Sequence, residues 1–246
     1  MKILVCISKA PDTTAKIAFT NNNTEFDTNG VQFIVNPYDE WYALVRGLEL
    51  KEQHSGSVTV LNVGTADNDP IIRKALAIGA DEAVRIDVNP TDALQAAKEI
   101  ATYAKAQGFD LVLLGKETID YNGSQIGAMV AELMDLPYVS LATKLEMNGN
   151  TATVSRDIQG GTEVVELSTP AVISAAKGMA EARIPNMRGI MAARTKPLNV
   201  VAASGASAAT TISSYELPPA KGECHYIDAD NVGELIELLH NEAKVI

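Results

Sequence analysis

Four apolar runs punctuate the first half of the chain: KILVCIS (2–8), SVTVLNVG (57–64), EAVRIDV (82–88) and DLVLLG (110–115). Each is short and aliphatic, as a buried strand is. Between them the apolar spacing turns helical. DEWYALVRGLELKEQH (39–54) starts at an Asp and stops before Gly56. DPIIRKALAIGA (69–80) carries Pro70 near its first turn. TDALQAAKEIATYAKAQG (91–108) opens on Thr91 and Asp92 and ends at Gly108. Strands alternating with helices predict an α/β fold: an open, mainly parallel, Rossmann-like sheet with helices on both faces. Ligands of such sheets bind beyond the carboxyl ends of the strands. The tips SKAPDTT, NVGTADND and GKETIDYNGSQ then share one edge with NPYDE, where a nucleotide or anion site is expected.

After residue 140 the pattern changes. Residues 142–175 alternate polar and apolar, with NGN and GG at the turns, and predict a hairpin region. Residues 178–198 hold Met179, Met187 and Met191 among several basic residues. Residues 200–214 are small and polar, and read as extended or flexible. Residues 228–246 predict a closing helix with Leu235, Ile236, Leu238 and Leu239 on or near one face. From 200 onward there are too few large apolar residues for a separate core. The division expected is a nucleotide-binding α/β domain over 1–199, with a partner-docking loop at 183–191, and a C-terminal arm over 200–246 that needs another surface.

With 246 residues, 46% of them hydrophobic, the chain can bury a full core. A net charge of −11 argues against a nucleic-acid partner. Two distant cysteines, Cys6 and Cys224, supply neither a disulfide framework nor a zinc spacing. No metal site is expected, and a reducing cytoplasmic compartment fits. MKILVCISKAP is broken by Lys9 and Pro11, so it reads as a first strand rather than a signal peptide or membrane span.

The loop opening GKETIDYNGSQIGAMVAEL (115–133) leads from a strand to a helix, whose free N–H groups favour an anion such as phosphate. It is no P-loop, because Lys116 comes too early, and no G-x-G-x-x-G is present. Ser124 lacks a G-x-S-x-G context and suits a hydroxyl donor better than a nucleophile. His54, His225 and His240 have no catalytic or metal spacing and read as surface residues. Cys6, inside a strand, reads as an inert buried thiol. In NPYDEWYA (36–43), Asn36-Pro37 forces an extended or turned backbone and Asp39 can cap the next helix. Two readings stand: a helix start alone, or Asn36 and its backbone near a nucleotide with the Tyr38 ring aimed outward. The methionines at 179–191 are either core or an adaptable docking loop.

VSRDIQGGTEVVELSTPAVISAAKGMAEARIPNMRGIMAARTKP, NPYDEWYA, IIRKALAIGADEAVRI and DLVLLGKETIDYNGSQIGAMVAELMDLP together resemble the electron transfer flavoprotein beta subunit, over about residues 2–200. The resemblance implies an open α/β domain that buries AMP for structure and pairs with an alpha subunit holding most of the FAD. The heterodimer would shuttle electrons between flavin-containing dehydrogenases and an acceptor, with no substrate turnover of its own. The arm would then pack on the alpha subunit.

By that resemblance, AMP contacts fall on Cys6, Asn36, Pro37, Tyr38, Asp39 and Val63, and on Gly115, Lys116, Asp120, Asn122, Gly123, Ser124, Gln125 and Ile126. Ser124, Gln125 and the Ile126 N–H would face phosphate. Asp120 would order the loop by accepting backbone hydrogen bonds. Tyr38 falls near the FAD ring, and Arg156 and Asp157 fall in the stretch that meets the alpha subunit. Arg183, Met187, Ile190 and Met191 fall in the docking loop, with Met187 as its apolar anchor. Ile126 stands where the family usually has Thr, Tyr121 where it often has an acid, and Thr13 where some members have Tyr. Electron-bifurcating members hold a second FAD in the AMP place, in a loop rich in Asp-Gly-Asp-Thr. DYNGSQ is not that pattern, so AMP is expected. A stand-alone adenine-nucleotide regulator remains the alternative, although it gives no reason for residues 140–246. An ATP-pyrophosphatase would need S-G-G-x-D-S where SKAPDTT stands.

Overall fold

The computed structural model describes residues 1–246. In chain order the elements are β1 (Lys2–Cys6), β2 (Lys9–Pro11), β3 (Phe19–Thr20), β4 (Glu25–Phe26), β5 (Phe33–Val35), α1 (Asp39–His54), β6 (Ser57–Val63), α2 (Asp69–Ile78), β7 (Glu82–Asp87), α3 (Ala93–Gln107) and β8 (Leu111–Gly115). There follow α4 (Ile126–Met134), β9 (Tyr138–Asn148), β10 (Thr151–Ile158), β11 (Gly161–Ser168), β12 (Ala171–Ala175), α5 (Met187–Ala193), β13 (Leu198–Ala202) and α6 (Val232–Glu237), which runs into a π-helical turn over Leu238–Glu242.

The predicted apolar runs become the buried strands of one nine-stranded sheet, ordered β11-β10-β9-β12-β8-β1-β6-β7-β13. Every pairing from β9 to β13 across this order is parallel; only β9-β10 and β10-β11 are antiparallel. The alternation of side chains along β1 builds two cores. Ile3 and Val5 pack with Leu44 and Leu48 of α1 and Ile72 and Leu76 of α2. Leu4 and Cys6 pack with Ile100 of α3 and Val130 of α4 on the other face. The chain steps outward from β1 to β6 and β7, then returns to place β8 on the other side of β1. The carboxyl ends of β1 and β8 therefore form a topological switch point, where a doubly wound sheet opens a crevice.

Two expectations change. The hairpin region supplies β9–β11, but its last segment, AVISA, is β12, a parallel strand inserted between β8 and β9. All five of its residues are buried, the signature of a strand covered on both faces rather than of a hairpin arm. Residues 198–202 form the edge strand β13 along β7. Beyond it the chain is tied to α3: the Glu99 carboxylate accepts from Ser204 N (2.8 Å), and Asp92 accepts from Ala209 N (2.6 Å) and Thr210 N (2.8 Å). Tyr215 then stacks on Phe19, with ring centroids 4.8 Å apart. α6 buries no residue, and Val232, Leu235 and Ile236 stay exposed. No helix is long and apolar enough to cross a membrane.

Candidate nucleotide and docking sites

The short β2-β5 ribbon delivers Asn36 to the end of β1, where Asn36 N donates to Ser8 O at 3.0 Å. Asn36 is 0% exposed. Its Nδ2 donates to Glu117 O (3.1 Å) and its Oδ1 accepts from Ile119 N (2.9 Å). The side chain is thus a staple on the loop after β8: it shapes the loop, and its amide is already occupied by protein.

Pro37 then turns the chain. Tyr38 sits at φ 64°, ψ −103°, a region a bulky L-residue occupies only when its surroundings hold it there. Its ring is 58% exposed. Tyr38, not Asp39, is the cap residue of α1, and Asp39 makes no capping hydrogen bond. The turn makes Asp39 the first helical residue, and its side chain is buried. Burial raises that carboxyl to about 6, against the pull of Lys116 and with the help of Glu117.

Glu40 was not foreseen, because an acid in a first helical turn reads as solvated. It is buried and accepts from Ser8 N (2.7 Å) and Ser8 Oγ (2.8 Å). Burial pushes it up to about 8, the Ser8 bonds pull it back, and Asp120 and Asp39 add to the rise. A raised carboxyl means the folded chain keeps a proton that the unfolded chain releases above its ordinary 4.5. Stability is therefore full in acid and is lost as pH rises towards 8. Asp39 acts with the same sign. The melting temperature should fall from about pH 5 to pH 8, for a loss of several kcal/mol. Glu40→Gln should flatten that slope in thermal melts at several pH values; an unchanged slope would remove Glu40 as its source.

Gly115 ends β8 against the start of α1. A Cβ there would lie 2.7 Å from Glu40 N, so only glycine lets the helix press onto the strand end. The loop that follows turns through Asn122 at φ 47° and Ser124 at φ 51°, and α4 opens after Gln125 with no side-chain cap. The first-turn N–H groups of Ile126 and its neighbours are thus left to other partners. Ser124 Oγ donates to Glu117 Oε2 at 2.9 Å, and Lys116 Nζ pairs with Glu117 Oε1 at 2.9 Å. Asp120 is exposed and accepts only from its neighbour Tyr121 N (3.0 Å), so the ordering expected of it falls to Asn36. Asn122, Gly123 and Gln125 are exposed on the loop, and Val63 ends β6 half-buried. Cys6 is buried in the core, and burial, then Glu40, pushes its thiol far up, which fits the inert reading.

The docking loop is a second, separate surface. The guanidinium of Arg183 donates to both Glu52 oxygens (2.7 and 3.0 Å), and Trp41 Nε1 donates to Arg183 O (3.2 Å). Arg183 pins the loop to α1 rather than standing free. Asn186 caps α5 by accepting from Gly189 N at 2.8 Å. Gly189 lies so close to α2 that a Cβ would meet Ala77 O at 2.3 Å. Arg73 donates to Ala193 O and Lys196 O. On this fixed base Ile184, Met187, Ile190 and Met191 are all exposed.

A concavity of about 490 Å³, lined by Arg46, His54, Lys144 and Met147 among others, opens at the far end of α1. Its cations are already used: Arg46 pairs with Glu49 and Lys144 with Glu146. The switch-point loop is the better candidate on chemistry.

A doubly wound, mainly parallel sheet with a stapled loop at its switch point defines an α/β protein of Rossmann-like architecture. Comparison places it further. Residues 24–206 match the electron transfer flavoprotein domain. The chain is 35% identical to electron transfer flavoprotein subunit beta of Bacillus subtilis, over the whole of both chains. It is 35% identical to that of Syntrophomonas wolfei, over all of this chain and 98% of the relative. With the human subunit it shares 34% over 82% of this chain and 81% of the relative. The chain belongs to the electron transfer flavoprotein family and falls among its beta subunits.

Proposed function

We propose that this chain is the beta subunit of a cytoplasmic, heterodimeric electron transfer flavoprotein. It binds AMP for structure and helps to move electrons through an FAD held mainly by an alpha subunit. The observation that carries the reading is the Asn36 staple. It holds the 115–126 loop over the switch point while Tyr38 is kept strained and outward. In this reading Ser124, Gln125 and the Ile126 N–H hold the phosphate, with Lys116 close by. Asn36, Pro37, Asp39 and Gly115 shape the wall, and Cys6 and Val63 line the strand ends. FAD supplies the redox chemistry when the alpha subunit brings it. The residues of this chain order the nucleotide, present the Tyr38 ring toward the flavin and offer Met187, Ile190 and Met191 to dehydrogenases. The chain itself turns over no substrate. The C-terminal arm, with exposed Val232, Leu235 and Ile236, packs on the alpha subunit.

Acid release and chromatography of the purified chain should yield an adenine nucleotide, identified as AMP, and no stoichiometric FAD. Recovering FAD in place of AMP would move the protein to the electron-bifurcating class.

A further inference from the structure

The loop assigned to phosphate already contains an anion of its own. Glu117 is only 22% exposed at its side chain. One carboxylate oxygen meets Lys116 and the other accepts from Ser124 Oγ, the hydroxyl expected to face phosphate. The backbone of Glu117 is fixed by Asn36, which roots the side chain beside Lys116 and Ser124. The Lys116 and Ser124 bonds, in that order, hold its titration below the usual range. It therefore stays ionised across the working pH range. Asp39 adds negative charge beside it, with Lys116 as the nearby cation.

We propose that Glu117 is a specificity-determining residue of this loop: its carboxylate competes with ligand phosphate for Ser124 and Lys116, and so limits the charge of the adenine nucleotide accepted. The inference rests on the nucleotide reading above. Repulsion between fixed charges grows with the charge of the ligand. The loop thus favours the monophosphate over di- and triphosphates. Adenosine, with no phosphate, is indifferent to Glu117.

Isothermal titration of the nucleotide-stripped chain and of Glu117→Gln, each with adenosine, AMP, ADP and ATP, tests this. The amide keeps the shape and one acceptor for Ser124 while removing the charge. In the wild type, affinity should fall from AMP to ADP to ATP. In the variant, AMP should bind about tenfold more tightly, with a larger gain for ADP and ATP, as loss of one close like charge implies. Adenosine should be unchanged. Equal gains for all four ligands, or none, with nucleotide still bound, would overturn the role of Glu117 and leave the site standing. Failure of both proteins to bind any of the four would overturn the nucleotide reading and this inference with it. Should the variant not fold, the wild-type order decides alone: ATP binding as well as AMP would refute the proposal.

Discussion

Asn36→Ala is expected to destabilise the chain by about 2–6 kcal/mol, because it leaves two loop backbone groups without partners, each costing about 1–3 kcal/mol when buried. Glu117 O loses its donor and Ile119 N loses its acceptor, while Asn36 itself is fully buried. The loop between β8 and α4 should loosen, and nucleotide retention should drop with the melting temperature. Asp120→Ala is the control on the same loop. Its side chain is exposed and holds only Tyr121 N, so its cost should be about 0.5 kcal/mol or less. Thermal melts with nucleotide analysis of both variants check the pair. Equal effects would mean that the staple is not what orders the loop.

The second large effect is expected at Met187. It is 73% exposed at the start of α5, while the loop beneath it is held independently by Arg183, Asn186 and Arg73. Met187→Ala should therefore leave the melting temperature and the bound nucleotide unchanged. If Met187 is the apolar anchor for dehydrogenases, electron transfer from a cognate one should slow by about 30-fold, the size of a hot-spot loss near 2 kcal/mol. Stopped-flow reduction of the assembled flavoprotein measures this. An unchanged rate, or a large loss of stability, would make Met187 ordinary packing. Arg183→Ala should act differently, by freeing the loop from Glu52 rather than by removing a partner contact.

The fold was legible where one local rule decides the outcome. The α1 segment reads as a helix from its spacing, and the helix runs from Asp39 to His54. The runs behind β1, β6, β7 and β8 are aliphatic because both faces of a parallel sheet are covered. β12 was misjudged because five small and aliphatic residues fit either a hairpin arm or a buried parallel strand; only its neighbours decide. β13 was missed because an edge strand of mostly exposed residues carries a weak pattern.

At the site, the loop and NPYDE stood out through their glycines, proline and polar cluster. Their joint did not. Asn36 meets residues more than eighty positions away, and no local pattern encodes that contact. Glu40 and Glu117 carry no local signal of their role, because burial of a carboxylate depends on what packs over it, here Ser8 and the loop itself.

If this chain completes an electron transfer flavoprotein as its nucleotide-holding half, co-expression with the alpha subunit, followed by mass, absorbance and nucleotide analysis of the purified complex, will show it. A yellow one-to-one heterodimer carrying one FAD and one AMP is the predicted result. A colourless chain that never joins an alpha subunit, or a complex with two flavins and no AMP, would contradict it.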